Sequence, residues 1–377
     1  MPKKLFIIVN IDYFFLTHRK NVAIAAKNAG YNVTIVTANS GQLHCIEELG
    51  FRAINLPMSR TGMNIMEELR TLLFLIRLYR KEKPDIIHQV GMKVILWGTI
   101  AAKLTHIPGV VNAISGLGRF FDKEHKNVLS RIIVAILKWS HRQSNLLCIF
   151  QNNDDWNMYA EHGIINYTQG RYIKGSGVDL NIFSYFPEPN EGKLKVVLTA
   201  RMIESKGILT LTDAAELLRF KYESNVIFQL IGWLDPEHPE AITEEKLKEV
   251  CDGNYIQWLG RRDDVIELLR QCHIVALPSY YMEGLPKSLI EANAIGRPII
   301  TSNSVGCRDT VIDGYNGFLI PPKDVEALAQ KLDILLSNAK LRQEMGRNAR
   351  HYAEENFSIE TVNEKHLDIY NELLTHK

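Results

Sequence analysis

A loop that follows an apolar run carries two carboxylates, a glycine and a proline at a spacing that could serve ligand binding. The run Ile274–Leu277 predicts a buried strand; Glu283 and Gly284 follow it, and Glu291 lies eight positions after Glu283. Gly284 permits a tight turn, and Pro286 suits the first turn of a helix because it lacks an N–H group. The N–H groups and dipole of a helix N-terminus attract phosphate. With a carboxylate on each side, this stretch predicts a site for a nucleotide sugar.

Two cations follow another predicted strand, Leu194–Thr199. Arg201 and Lys206 lie five positions apart after this strand. A guanidinium group can donate two parallel hydrogen bonds to phosphate oxygens, and an ammonium group is a mobile point charge. A nucleoside diphosphate requires such neutralisation, above all as it becomes a leaving group. We therefore predict that both side chains bind a diphosphate; the alternative is a surface arginine and a lysine that only begins a helix.

Short apolar strands alternate with amphipathic helices along the chain, which has 377 residues, 46% of them hydrophobic and 23% charged. This alternation predicts the α/β class, with parallel sheets covered by helices on both faces. One predicted helix spans Thr17–Ala29. Because the pattern restarts after a Pro- and Asn-rich segment at residues 186–192, we predict two doubly wound, Rossmann-like domains at residues 1–175 and 176–357. A last helix within residues 358–377 is expected to cross back to the first domain.

The predicted architecture also locates the site. In doubly wound sheets, ligands bind beyond the carboxyl ends of the strands. Two such domains are expected to face a central cleft, with the site inside it.

Together, these motifs resemble the signature of retaining glycosyltransferases of the GT-B fold (glycosyltransferase family 4, or glycosyl transferases group 1). Arg201, Lys206 and the stretch from Glu283 to Glu291 carry the resemblance. It extends over nearly the whole chain and includes Gly232 and the segments at residues 259–265 and 314–319.

The resemblance implies a role for each matched position. Arg201 and Lys206 would bind the donor diphosphate and Glu283 the hydroxyls of the donor sugar; these three are the implied catalytic residues. Glu291 would bind the ribose hydroxyls. The other implied donor-binding residues are Gly232, Gly284, Leu285, Pro286 and Arg262, the last beside the base.

The sequence predicts neither a metal nor a cofactor. It contains no Asp-x-Asp motif and no His or Cys cluster with the spacing of a zinc site. We therefore expect Arg201 and Lys206 to neutralise the leaving group without a metal ion.

The first domain is then expected to bind the acceptor. Many relatives have a glycine-rich loop after the first strand, whereas this chain has Asp12, His18 and Arg19 there. The two basic side chains could meet an acceptor phosphate, and Asp12 completes this predicted set. Alternatively, the His–Arg pair begins a helix on a solvated face.

A second acceptor loop is predicted after the strand Val110–Ile114, with Ser115, Gly116 and Arg119 as candidates. Many relatives have a histidine at the position of Ser115, so no general base is assigned. The Gly-Leu-Gly motif and the aromatic residues after it resemble bacterial enzymes that extend a sugar carried on undecaprenyl diphosphate. His88, at the end of another predicted strand, is a further candidate, although a lone histidine there is more often structural.

The charge distribution indicates an anionic partner for the first domain. The net charge is +1, but residues 1–175 carry 22 Lys and Arg against 12 Asp and Glu, and the rest of the chain carries 22 against 31. We predict that the basic domain binds an anionic membrane surface, through basic helices near residues 69–83 and 127–142 unless these only cover the sheet. No nucleic-acid partner is expected. Five scattered cysteines predict reduced thiols and hence a cytoplasmic protein, peripheral on the inner face of the cytoplasmic membrane.

The motifs and the resemblance together predict a metal-independent hexosyltransferase, and the resemblance implies retention at the anomeric carbon. Its donor would be a UDP-sugar carrying an N-acetylhexosamine or hexose, and its acceptor a hydroxyl, on a sugar linked to undecaprenyl diphosphate, in the synthesis of O-antigen, capsule or another bacterial glycan. Same-face attack is expected, because no carboxylate is placed as a nucleophile of the glycosidase kind. Two alternatives stay open: a GT-B epimerase, which would release UDP without an acceptor, and a nucleotide-sugar-binding protein without catalytic activity.

Overall fold

The computed structural model describes residues 2–59, 64–117 and 128–375. These residues form two compact units. The first contains the described residues up to Ser176 together with those from Ile359 onward, and the second runs from Gly177 to Ser358. The chain therefore leaves the first unit once and returns to it with its last helix.

The first unit is built around seven parallel strands in the order β3-β2-β1-β4-β5-β6-β7. The strands are Lys4–Val9 (β1), Asn32–Thr37 (β2), Arg52–Asn55 (β3), Ile86–Val90 (β4), Gly109–Ile114 (β5), Leu146–Phe150 (β6) and Gly170–Tyr172 (β7). The helices among them are Asp12–His18 (α1), Lys20–Asn28 (α2), Leu43–Glu48 (α3), Ile65–Glu82 (α4), Met92–Thr105 (α5), Val128–His141 (α6) and Asn153–Glu161 (α7).

The second unit contains six parallel strands in the order β10-β9-β8-β11-β12-β13. The strands are Leu194–Thr199 (β8), Val226–Ile231 (β9), Ile256–Trp258 (β10), Ile274–Leu277 (β11), Ile299–Ser302 (β12) and Gly317–Ile320 (β13). The helices are Ile208–Tyr222 (α8), Glu244–Val250 (α9), Val265–Arg270 (α10), Lys287–Ile295 (α11), Val325–Ser337 (α12) and Ala339–Asn356 (α13).

The last helix, Ile359–Thr375 (α14), packs on the sheet of the first unit. Its buried residues Val362, Ile369 and Leu373 join the core formed by β1, β4 and β5. The Tyr31 hydroxyl also donates to Asn371 Oδ1 at 3.0 Å. Within the described residues, no helix combines the length and the apolar character needed to cross a bilayer.

The central strands of the first sheet are covered on both faces. Every residue of β4, β5 and β6 is buried. These segments are therefore almost continuously apolar, as expected for parallel strands that never meet water. The polar exceptions, such as Asn112, are held by internal hydrogen bonds: its Nδ2 lies 2.9 Å from Thr99 Oγ1.

The predicted pair of doubly wound α/β domains is confirmed, but one predicted helix is wrong and one strand was missed. The predicted helix Thr17–Ala29 is instead two helices, α1 and α2, which meet at Arg19 with φ −126° and ψ −8°. The chain turns there as the Arg19 side chain enters the interior, where only 2% of the residue is exposed. The short edge strand β7 was not predicted, because a segment of three residues is too short to show a hydrophobic pattern typical of a strand.

The strand order brings two loops of the second unit side by side. β8 and β11 are neighbours in the sheet although α8, α9 and α10 separate them in sequence. The strand order reverses between them, which is where doubly wound sheets bind ligands. The segments after β8 and after β11 therefore leave the same edge of the sheet next to each other.

Three histidines are buried inside the first unit: His88 on β4, His141 at the end of α6 and His366 on α14. His88 Nδ1 lies 2.6 Å from the Tyr370 hydroxyl oxygen, and its ring stacks on His366 with centroids 5.5 Å apart. Burial lowers the pKa of all three, to about 4 for His141 and about 3 for His366. The nearby charge of Arg19 lowers the pKa of His88 and His366 further.

We expect the free energy of unfolding to fall as the pH drops below about 6.5. Below that pH the unfolded chain binds protons at these histidines, whereas the folded chain does not until the pH nears the lowered pKa values. Each histidine then removes up to about 1.4 kcal/mol per pH unit. Urea unfolding between about pH 5 and pH 7.5 measures this slope.

The variant His366→Gln should reduce the slope, and His351→Gln, at an exposed histidine, should leave it unchanged. A slope that is the same in His366→Gln and in the unmodified protein contradicts the expectation.

Candidate functional site

An ion pair between Lys206 and Glu283 joins the two neighbouring loops of the second unit. Lys206 Nζ lies 2.5 Å from Glu283 Oε2, and each side chain is 12% exposed. Lys206 ends a 3-10 turn after β8, and Glu283 lies in the loop after β11. Lys206 Nζ also lies 5.6 Å from the centroid of the Tyr281 ring, within the range of a cation–π contact. The structure thus brings these two residues, singled out in the sequence, into direct contact.

Two buried serines hold this pair in place. The Ser279 hydroxyl lies 2.9 Å from Glu283 Oε1 and 3.1 Å from the carbonyl oxygen of Ser205. The same carbonyl accepts the N–H groups of Tyr280 at 2.9 Å and Tyr281 at 3.2 Å. These hydrogen bonds therefore join the loop after β11 to the turn that carries Lys206. No motif identified either serine as a site residue, because hydroxyl and main-chain contacts of this kind follow from the loop geometry.

Arg201 has a partner of its own. Its Nη1 donates to Asp235 Oδ2 at 2.7 Å, and the side chains of Arg201 and Asp235 are 27% and 4% exposed. Asp235 lies after β9, in a segment without a recognisable motif, and was missed by the sequence analysis. The two cations after β8 therefore face different carboxylates.

Glu291 lies one turn into α11 and is largely buried. Its Oε1 is 3.7 Å from Lys287 Nζ. Burial raises the pKa of Glu291, and the Lys287 ammonium opposes this rise. Pro286 precedes the helix, with φ −63° and ψ 118°, and so lies one position before the first turn in which it was predicted. Its carbonyl accepts the N–H of Leu289 at 3.1 Å, as expected at a helix N-cap.

Two glycines let neighbouring loops approach each other. A Cβ on Gly232 would lie 1.7 Å from the carbonyl oxygen of Ala200, and a Cβ on Gly306 would lie 1.9 Å from that of Gly284. Gly306 has φ +80°, a conformation that favours glycine. Gly232 was predicted to belong to the site, whereas Gly306 was missed.

Two other predicted donor residues have surroundings of their own. Arg262 follows the edge strand β10 and pairs with Asp264 at 2.6 Å, with 44% of each side chain exposed. The Leu285 side chain is buried in a small core with Ile290 and Ala294. A role of its N–H group in phosphate binding stays a prediction.

In the first unit, the structure corrects the prediction that Asp12 contacts an acceptor. Asp12 is fully buried. It accepts the N–H groups of Ser40 at 2.8 Å and Gln42 at 2.9 Å, as well as the Ser40 hydroxyl. Burial raises the pKa of Asp12, but the hydrogen bonds outweigh burial and the pKa is lowered. Asp12 therefore holds the loop after β2 against the start of α1.

Arg19 and His88 are also corrected, because both lie in the interior with Tyr370 of α14 as a neighbour. Burial lowers the pKa of Arg19 to about 10, and the Tyr370 hydroxyl partly opposes this. His18, in contrast, is half-buried at the end of α1, with its ring stacked 4.5 Å from that of Phe14. Its contact with an acceptor stays a prediction.

The second predicted acceptor loop is described only in part. Ser115 and Gly116 directly follow β5 and are half-buried, with φ +104° at Gly116. Arg119 lies outside the described residues.

Two family models match the chain. The model described as "Glycosyl transferase 4-like" matches residues 4–152, and "Glycosyl transferases group 1" matches residues 184–352. The first therefore falls in the first unit, and the second falls in the second unit with the ion pair.

Several curated proteins are similar over nearly their whole length. The chain is 26% identical to an N,N'-diacetylbacillosaminyl-diphospho-undecaprenol alpha-1,3-N-acetylgalactosaminyltransferase of Campylobacter jejuni, covering 94% of this chain and 95% of the relative. It is also 26% identical to a UDP-Gal:alpha-D-GlcNAc-diphosphoundecaprenol alpha-1,3-galactosyltransferase of Escherichia coli, covering 93% and 91%. The capsular polysaccharide biosynthesis glycosyltransferase CapM of Staphylococcus aureus is 25% identical, covering 99% and 98%.

Solved structures share the fold. HepE of Anabaena in complex with UDP-glucose superposes with a TM-score of 0.77 at 18% identity, covering 99% of both chains. A glycosyltransferase of Rickettsia africae gives a TM-score of 0.77 at 20% identity, covering 100% of both chains. The chain thus has the predicted GT-B fold, with two Rossmann-like domains.

We expect Gly306→Ala to displace the loop that carries Glu283. A Cβ 1.9 Å from the Gly284 carbonyl oxygen forces one of the two loops to move, at a cost of about 1–3 kcal/mol. Thermal unfolding and calorimetry with UDP should show lower stability and weaker binding. Gly253→Ala is the matched control: Gly253 also has positive φ, but no atom lies within 4 Å of its Cβ position. Equal losses of UDP affinity in the two variants would contradict the expectation.

Proposed function

We propose that this chain, which belongs to the glycosyltransferases of the group 1 and 4-like families, transfers a sugar from a UDP-sugar to a hydroxyl of a sugar carried on undecaprenyl diphosphate. The observation that carries the proposal is the contact of Lys206 with Glu283, at the carboxyl edge of the second sheet. The similarity to two transferases named for undecaprenyl-diphosphate-linked sugars supports the acceptor. The likeness to a fold that has been crystallised with UDP-glucose agrees with the donor.

In the proposed complex, the ion pair exchanges partners. Lys206 turns from Glu283 to the donor diphosphate, and Glu283 accepts hydrogen bonds from the hydroxyls of the transferred sugar. Arg201 provides the second cation. Glu291 accepts hydrogen bonds from the ribose hydroxyls, and the Lys287 ammonium opposes the rise that burial causes in the pKa of Glu291. Ser279 restricts the position of the Glu283 carboxylate throughout.

The proposed reaction proceeds with retention at the anomeric carbon and without a metal ion. As the bond from this carbon to the diphosphate breaks, Lys206 and Arg201 neutralise the charge that develops on the leaving oxygen. The acceptor hydroxyl attacks from the same face, and the leaving phosphate takes its proton. The Ser279 hydroxyl holds the Glu283 carboxylate, and we assign Glu283 to the sugar hydroxyls and not to nucleophilic attack.

We propose that the first unit binds the acceptor through His18, Ser115, Gly116 and Arg119. The burial of Asp12, Arg19 and His88 removes these three residues from the proposal. An acceptor on a lipid also requires that the enzyme reach a membrane surface.

The proposed membrane surface is the exposed face of α4. Ile65 and Met66 are both 74% exposed, and Leu69 and Leu73 are 45% and 49% exposed. Exposed basic residues lie along the same helix, among them Arg70, Arg77 and Arg80. Apolar and basic side chains on one solvated helix face are typical of helices that lie on anionic membranes. We therefore propose a peripheral location on the inner face of the cytoplasmic membrane.

We expect Glu283→Gln to separate binding from transfer. Without the carboxylate, Lys206 loses its counter-charge, so affinity for UDP should hold or rise, whereas transfer should fall by about 100-fold or more. Lys206→Ala should weaken UDP binding by about tenfold or more and nearly abolish transfer. Calorimetry with UDP and a transfer assay make the comparison. Full transfer in either variant contradicts the assigned roles.

The direct test of the function is a donor screen. Purified protein is mixed with single UDP-sugars, a chelator and synthetic sugar-diphosphate lipids, and the products are identified by mass spectrometry and their anomeric configuration by NMR. A lipid extended by one sugar with retained configuration supports the proposal. UDP release without an extended lipid would indicate an epimerase or a hydrolase, and UDP binding without turnover would indicate a binding protein.

We expect the protein to sediment with vesicles that contain about one third phosphatidylglycerol and not with neutral vesicles, because the helix face is basic. The double variant Met66→Ser/Leu69→Ser should reduce this binding several-fold. Phe220→Ser is the control, since Phe220 is fully exposed but lies on the second unit. Equal binding of the α4 variant and the control would overturn the assignment.

A further inference from the structure

Asp235 is an almost fully buried carboxylate that contacts a residue of the proposed donor site. Its side chain is 4% exposed, and Oδ2 accepts from Arg201 Nη1 at 2.7 Å. Arg201 is more exposed, at 27%. The aspartate therefore lies behind the arginine, on its protein side, and contacts one of the two terminal nitrogens of the guanidinium group.

The loop that carries Asp235, residues 233–242, is tied to the segment 201–206 along its length. The N–H of Met202 donates to the carbonyl of Trp233 at 3.0 Å, and the N–H of Ile242 donates to the carbonyl of Met202 at 3.0 Å. Isolated β-bridges join Met202 to Leu234 and Ile203 to Ala241. Main-chain contacts thus join the loop to the segment near both ends of the loop.

A second carboxylate of the same loop supports the other cation. Glu240 accepts a hydrogen bond from the Ser205 hydroxyl, and its carbonyl accepts the N–H of Glu204 at 3.0 Å. Ser205 directly precedes Lys206, and its carbonyl receives the loop that carries Glu283. The loop therefore supports both proposed phosphate ligands. It contacts Arg201 through the Asp235 side chain, and it contacts the turn that ends at Lys206 through Glu240.

We propose that Asp235 is a positioning residue for Arg201, which it orients toward the diphosphate of the donor. This inference rests on the proposed function. A guanidinium group bonded through Nη1 keeps the N–H groups of Nη2 and Nε, which is the fork that matches two phosphate oxygens. Holding the arginine in one rotamer before the ligand arrives removes part of the ordering cost of binding. The buried Asp235 carboxylate also keeps the Arg201 side chain from adopting other rotamers that lie along the protein surface.

Two other roles for Asp235 predict different results. If Asp235 competed with the diphosphate for Arg201, its removal would strengthen binding of UDP. If it served only the stability of the loop, its removal would lower the melting temperature and leave the affinity of the folded protein unchanged. A positioning role predicts weaker binding that depends on the presence of Arg201.

The test is a double-mutant cycle with UDP as the probe, measured by calorimetry on the full chain. We expect Asp235→Ala to weaken UDP binding about tenfold and to raise the donor KM by a similar factor, because the arginine is no longer preorganised. Asp235→Asn, which keeps an oxygen acceptor, should recover part of the loss. In the Arg201→Ala background, Asp235→Ala should have no further effect on UDP binding.

Glu188→Gln is the matched control for stability. Glu188 forms a buried pair with Arg342, with 8% and 6% of the side chains exposed, in the segment that precedes β8. This variant should lower the melting temperature and leave UDP affinity unchanged. Unchanged or tighter UDP binding by Asp235→Ala, or an equal loss in the Arg201→Ala background, overturns the inference. If the unmodified protein binds no UDP, the proposed function fails instead.

Discussion

The ion pair of Lys206 and Glu283 is the contact on which the candidate site depends. Two largely buried opposite charges stabilise each other, and removal of either one leaves the other uncompensated in a poorly solvated place. The pair can form only because β8 and β11 are neighbours in the sheet, so the loops that follow them leave the same edge. The glycines of the site also allow neighbouring loops to come close, since a side chain on Gly306 would collide with the loop that carries Glu283. The close approach of the two loops and the pairing of Lys206 with Glu283 therefore depend on each other.

The polar residues of the candidate site lie at two depths in the second unit. Lys206 and Arg201 are partly exposed and each contacts one carboxylate, whereas Ser205, Ser279 and Asp235 are buried behind them. An arrangement of this kind supports preorganised binding of an anion, because the cations are already in place and the groups that orient them are fixed by packing. The cost is that the cations are partly neutralised before a ligand binds, and this favours ligands with more than one negative charge.

The first unit uses its polar residues differently. Arg19, His88 and His366 are enclosed together with Tyr370 beneath α14. Burial without a carboxylate partner lowers the pKa of the histidines and keeps them neutral. These residues thus belong to the contact between α14 and the sheet. A basic or titratable residue after a strand was a reasonable candidate for ligand binding, but the break between α1 and α2 turns Arg19 inward.

The sequence by itself determined the class of the fold and half of the candidate site. The fold class follows from the apolar runs, from their spacing and from the restart of the pattern after residue 192. These are local patterns, and they do not depend on how the elements pack against one another. The rule that ligands bind at the carboxyl ends of parallel strands then assigned Lys206 and Glu283 to the same site. A strand of three residues, β7, carried too little pattern to be found.

The tertiary structure alone decided which side chains face solvent and which carboxylate meets which cation. Asp12 and Asp235 are both aspartates that follow a strand of their sheet, yet Asp12 binds the loop after β2 and Asp235 contacts Arg201. Nothing in the local sequence distinguishes them, because the difference arises from residues distant in the chain: Ser40 and Gln42 in one case and Arg201 in the other. Burial and pairing are properties of the packed neighbourhood, and they depend on chain segments that only folding brings together.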